Sequence, residues 1–174
     1  RAAESGFVSL FNGKDLSGWE GMPGFWSVRD GTITGQTTAE KQLKANTFLI
    51  WKGGELKNFE LRLSFRLLSD NNEARGNSGI QFRSKVADPA AWVVTGYQAD
   101  IDFARPYVGM FYEEKGRGIM MKTGEKVRIV TGPDGKHVVE QMGPPTPAVE
   151  VAGAYRKSEW NDVVIIAEGP HIRQ

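Results

Sequence analysis

The stretch Phe59–Leu67, FELRLSFRL, constrains the fold more than any other. In an extended backbone Phe59, Leu61, Leu63, Phe65 and Leu67 share one face, and Glu60, Arg62, Ser64 and Arg66 share the other. A slip of one residue would bury the charges, so the register of this strand is strongly set.

Shorter segments repeat the theme between turn signals, with 21 Gly and 8 Pro in the chain. Candidate strands are Trp26–Val28, Thr32–Thr34, Phe48–Trp51, Gly79–Arg83, Tyr97–Asp102, Val108–Tyr112, Lys126–Val130 and Asp162–Ala167. RDGT (Arg29–Thr32) reads as a hairpin turn centred on Asp30-Gly31, and GPDGK (Gly132–Lys136) as a second turn. Asp88–Trp92, DPAAW, reads as one short helical turn, and Met142–Glu150 as a Pro-rich surface connection. Asp162–Ala167, DVVIIA, is apolar on both faces and reads as a central strand covered on each side. These signals predict an all-β chain, a two-sheet antiparallel β-sandwich forming a single domain over residues 1–174.

Composition removes whole classes of function. A formal net charge of +1 and scattered basic residues give no track for nucleic acid. No apolar run is long enough to span a bilayer. With no cysteine, disulfides, thiolate metal sites and a cysteine nucleophile are excluded. The opening Arg1-Ala2-Ala3-Glu4 lacks a methionine and points to a processed or trimmed N-terminus. The other end stops at AEGPHIRQ, just after the Gly169-Pro170 turn, which points to a domain cut short at its C-terminus.

The chemistry gathers in a few strands. GYQADID (residues 96–102) places Gln98, Asp100 and Asp102 on alternate positions. A solvated face, a calcium site and a sugar-processing cleft all share that pattern. In Gly79–Arg83 the polar set is Gln81 and Arg83. If the two strands are neighbours, amides, a guanidinium and carboxylates meet on one face, the groups that bind sugar hydroxyls. YEEKGRG (Tyr112–Gly118) adds Glu113, Glu114 and Arg117, either as a charged hairpin tip or as part of that face. The two glutamates point to opposite sides of a strand, so at most one joins it. Trp92 is the candidate for stacking on a sugar ring. His137 and His171 lie too far apart in sequence for a paired metal motif. Asp100 and Asp102 are hard oxygen ligands for a divalent cation such as calcium, although nothing in the sequence requires a cofactor. The nucleophile elbow G-x-S-x-G is absent, and GNSG is too short for a phosphate loop.

Several stretches taken in order carry a resemblance: GFVSLFNGKDLSGW, FWSVRDGTITGQ, FELRLSFRL, GNSGIQFRS, GYQADID, GMFYEEKGRG and WNDVVIIAEGPHIRQ. Together they resemble the bacterial 3-keto-disaccharide hydrolase family over nearly the whole chain. The resemblance implies a concanavalin A-like jelly roll, a carbohydrate partner and an exported, periplasmic or secreted setting. It also implies a further strand pair beyond Gln174. The implied reaction acts on a hexose oxidised at C3: a base removes the C2 proton, the enediolate expels the group at C1, and water adds back. Under that reading Asp100 or Glu114 is the base. Arg83, Arg117 or a metal ion stabilises the oxyanion. Tyr97, His171 or the other carboxylate assists the leaving group, and Gln81, Gln98, Asp102, Trp92 and Glu113 bind the sugar. A non-catalytic carbohydrate-binding module would present the same polar face.

Overall fold

A computed structural model describes residues 6–69, 76–104 and 106–174. The described residues form thirteen antiparallel strands and one short helix, so the chain is all-β as its alternation requires. The described residues divide into two compact units: the first runs to Glu55 and adds Lys85–Val94, and the second takes Leu56–Ser84 and Thr95–Gln174.

The first unit holds β1 (Trp19–Glu20), β2 (Trp26–Arg29), β3 (Thr32–Gly35) and β4 (Ile50–Trp51). Strand β1 pairs with β4, and β2 with β3. Asp30 and Gly31 close the β2–β3 hairpin with φ of +49° and +69°, the left-handed pair that a tight hairpin needs.

The second unit is a two-layer sandwich. Strand β5 (Phe59–Phe65) is followed by β6 (Asn77–Asp88), β7 (Val93–Asp102), β8 (Phe111–Glu114) and β9 (Gly118–Met121), with the far ends of β6 and β7 counted in the first unit. Next come β10 (Val127–Thr131), β11 (His137–Gln141), helix α1 (Ala148–Ala154), β12 (Asn161–Glu168) and β13 (His171–Arg173). One sheet has the order β13-β12-β5, the other β6-β7-β8-β9, and β10 pairs with β11. Phe82, Ala99, Phe111 and Met120 of the four-stranded sheet pack on Ile165 of β12, joined by Phe59, Leu61, Val163 and Ile172. The Phe59 and Phe82 rings meet edge to face at 6.1 Å between centroids. Ile165 has 0% exposure, and burying such a side chain contributes roughly 1.5–3 kcal/mol.

Four expectations change. Asp162–Ala167 is indeed a central strand, but only one of its faces is covered: Val164 is 43% exposed, while Ile165 and Ala167 face the core. Asp88–Trp92 is not helical; Asp88 Oδ1 accepts the Ala90 and Ala91 amides and folds the link from β6 to β7 into a side-chain-closed turn. The Pro-rich connection ends in a helix, which begins after Pro147. Strand β8 is displaced along the chain from Val108–Tyr112, because Gly109 at φ +75° turns the backbone just before Phe111.

Candidate functional site

The face of the four-stranded sheet that points away from the core collects the polar residues. Ile80 and Phe82 pack inward on β6, so Asn77, Gly79 and Gln81 point outward. On β7 Tyr97 and Ala99 point inward, which leaves Gln98, Asp100 and Asp102 outward. The β7–β8 register pairs Gly96 with Glu114, Tyr97 with Glu113, Gln98 with Tyr112 and Ala99 with Phe111. Directly opposed residues share a face, so Tyr112 and Glu114 join the polar side and Glu113 does not.

The polar side is buried. Gln98, Asp100, Asp102 and Glu114 are 6%, 5%, 9% and 8% exposed. A plain solvated face is thereby ruled out for these four. Asp100 is the centre of the arrangement. Gln98 Nε2 donates to its Oδ1 at 2.7 Å, and Asn77 Nδ2 donates to its Oδ2 at 3.4 Å. Burial pushes the Asp100 carboxyl up from 3.8 to about 6; the two amides pull it down and the Asp102 charge adds a smaller upward push. Asp102 Oδ1 instead accepts the Ala104 amide at 3.0 Å. Gly79 makes the Gln98 contact possible, since a Cβ there would lie 2.5 Å from Gln98 Cδ. Gln81 has both side-chain amide atoms buried without a hydrogen-bond partner, the condition in which a polar group gains from a ligand or bound water.

The other expected residues stand elsewhere. Arg83 adopts φ +49°, which interrupts the alternation, and its guanidinium donates to the Lys57 carbonyl at 3.1 Å just before β5. Arg117 grips Glu113 through Nε and Nη2 and reaches the Tyr97 hydroxyl at 3.3 Å, so this trio occupies the opposite side from Asp100. That guanidinium holds Glu113 below the usual carboxylate range. His171 alternates with the core-facing Ile172 and therefore lies on the outer side of the three-stranded sheet. Trp92 belongs to the first unit, where it lines a hollow with Trp19 and Trp26.

Glu114 shares the Asp100 face without flanking the same bond. It lies opposite Gly96, four residues along β7 from Asp100, a separation of about 14 Å at the strand rise. Paired carboxylates acting at one glycosidic bond are about 5–9.5 Å apart. The face therefore has Asp100 at one end and Glu114 at the other, with Gln98 and Tyr112 paired between them. No group of three or more His, Asp or Glu side chains gathers for a metal among the described residues. Calcium takes 6–8 oxygens, so at Asp100 and Asp102 backbone carbonyls and waters would have to supply the rest.

Sequence reasoning missed Asn77 and Tyr112. Carrying the alternation of Gly79 and Gln81 back through GNSG reaches Asn77. Tyr112 became visible only once Gly109 had set where β8 begins.

A family model described as the 3-keto-alpha-glucoside-1,2-lyase-like domain matches residues 6–174. No curated protein and no solved structure gives a significant match.

Proposed function

Since the chain belongs to the 3-keto-alpha-glucoside-1,2-lyase-like family, we propose that it cleaves 3-keto-glycosides, with Asp100 as the base. A ketone at C3 acidifies the C2 hydrogen. The Asp100 carboxylate takes that proton, and the electron pair moves onto the C3 oxygen as an enediolate. Collapse of the enediolate restores the ketone, forms the C1–C2 double bond and breaks the C1–O bond. The leaving oxygen takes a proton, and addition of water across the double bond completes net hydrolysis.

The observation that carries this reading is the state of Asp100, a buried carboxylate raised to about 6 with an amide on each oxygen. A base poised near neutrality combines a large ionised fraction with useful basicity. Tyr112 stands one diagonal step from Asp100 on the same face and is the hydroxyl assigned to the leaving group. Gln81 brings the unsatisfied amide, a donor for a sugar oxygen or the enediolate. Arg83 and Arg117 are committed to Lys57 and Glu113 and take no part.

A second reading is a non-catalytic carbohydrate-binding module. It is favoured by one observation: two hollows lie in the first unit, and neither is lined by Asp100. The experiment that separates the readings offers the chain a 3-keto-glucoside and the unoxidised glucoside side by side. Release of the C1 substituent from the keto sugar alone supports the enzyme. Binding of both sugars with no release supports the module.

A further inference from the structure

The two oxygens of Asp100 are held unequally. Oδ1 accepts Gln98 Nε2 at 2.7 Å, the length of a charge-assisted bond, and Gln98 is 6% exposed. That amide is wedged against the bare backbone of Gly79, where a Cβ would lie 2.5 Å from Gln98 Cδ and 2.9 Å from its Nε2. Oδ2 accepts Asn77 Nδ2 at 3.4 Å, longer than a well-formed N–H···O bond. Asn77 is exposed, at the first position of β6. The Asp100 backbone is fixed apart from both amides: its N–H donates to the Met110 carbonyl and its carbonyl accepts the Gly109 amide, each at 3.0 Å. The asymmetry therefore belongs to the side chains.

We infer that Oδ2 is the oxygen that takes the C2 proton, and that Asn77 is the residue that positions it. The inference rests on Asp100 being the base and names the half of the carboxylate that reacts. A short bond from a confined donor draws electron density from Oδ1 and blocks it. Oδ2 keeps a free lone pair, on the side where its partner is an exposed side chain. In the transfer the C2–H bond breaks, the Oδ2–H bond forms and the electron pair passes to the C3 oxygen. Oδ2 then changes from acceptor to donor. Asn77 carries both an N–H donor and a carbonyl acceptor, so a half-turn of its amide lets it accept the new Oδ2–H. Gln98 keeps donating to Oδ1 throughout. Asn77 thus serves both protonation states of the base, and an alanine there serves neither.

The test compares wild type, Asn77→Ala and Asn77→Gln on a 3-keto-glucoside carrying hydrogen or deuterium at C2. Asn77→Ala should lower kcat about 10–100-fold with KM within about twofold, and should enlarge the isotope effect, because proton transfer becomes slower than the other steps. Asn77→Gln keeps an amide and should stay within about threefold of wild type. A purely structural role would lower Tm without moving the isotope effect. A second measurement needs no turnover and no variant: in the side-chain amide signals of wild type, Gln98 should exchange its hydrogens with water at least about a hundredfold more slowly than Asn77. Equal exchange overturns the inference. So does an Asn77→Ala that turns over as wild type, one whose isotope effect is unchanged, or an Asn77→Gln as impaired as Asn77→Ala. No release of the C1 substituent by wild type strikes the catalytic reading itself, and the inference with it. Release that Asn77→Ala matches strikes the inference alone.

Discussion

Gln98 Nε2 sits 2.7 Å from Asp100 Oδ1, two residues along the same strand and on the same buried face. The amide holds the carboxylate in one orientation and offsets part of the cost of burying its charge. Burial still dominates, which is why Asp100 ionises only near pH 6.

That balance predicts a trade of stability for function. The native Asp100 carboxyl is raised from 3.8, so the folded state holds a proton that the unfolded chain has lost over the interval up to about 6. Stability from this group is present at low pH and falls as pH rises through that interval, by an amount on the order of 3 kcal/mol. Asp100→Asn should therefore raise Tm at pH 7.5, with the gain shrinking toward zero near pH 4. Thermal melts across pH check this, and an equal effect at both ends would contradict it.

Gly79 is predicted to act through Gln98. In Gly79→Ala the new Cβ displaces the Gln98 amide, and Asp100 loses a hydrogen bond to its charged form. The acid limb of the pH–rate profile should move to higher pH, and stability should drop by roughly 1–3 kcal/mol. An unmoved limb in a folded variant would detach Gln98 from the tuning of Asp100.

Tyr112→Phe separates the leaving-group proton from the C2 proton. Turnover should fall about 10²–10⁴-fold for an alkyl or sugar leaving group and little for a nitrophenyl one, which departs without help. Equal losses on both substrates would remove Tyr112 from that role.

Arg117→Gln should leave turnover within about threefold of wild type and cost on the order of 1 kcal/mol of stability. Glu113 is held low by this guanidinium, so the contribution is present above the ordinary carboxylate pKa and is lost as pH falls. The Tm deficit of the variant should be largest at neutral pH and fade as pH falls below the ordinary carboxylate range. A collapse of kcat instead would return Arg117 to the reaction.

The alternation of polar and apolar residues made the sheets legible before any coordinates. It set the face of β5 and the shared side of Gln98, Asp100 and Asp102, because period-two patterning dictates which way side chains point. It failed wherever a single residue left the extended region. Arg83 at φ +49° broke the alternation of Gly79–Arg83, and Gly109 at φ +75° moved the start of β8. Cross-strand register was equally invisible, since no local pattern reveals that Glu113 lies beside Tyr97 while Glu114 lies four residues from Asp100 along β7. The hollow around Trp92 depends on Trp19 and Trp26, which are distant from it in sequence.

The most direct test follows the C2 hydrogen itself. A 3-keto-glucoside incubated with the chain in D2O is watched by proton NMR, with Asp100→Asn alongside. The account predicts that wild type replaces the C2 hydrogen by deuterium as the C1 substituent is released, while Asp100→Asn does neither above the buffer rate. Exchange and release by Asp100→Asn at the wild-type rate would contradict it.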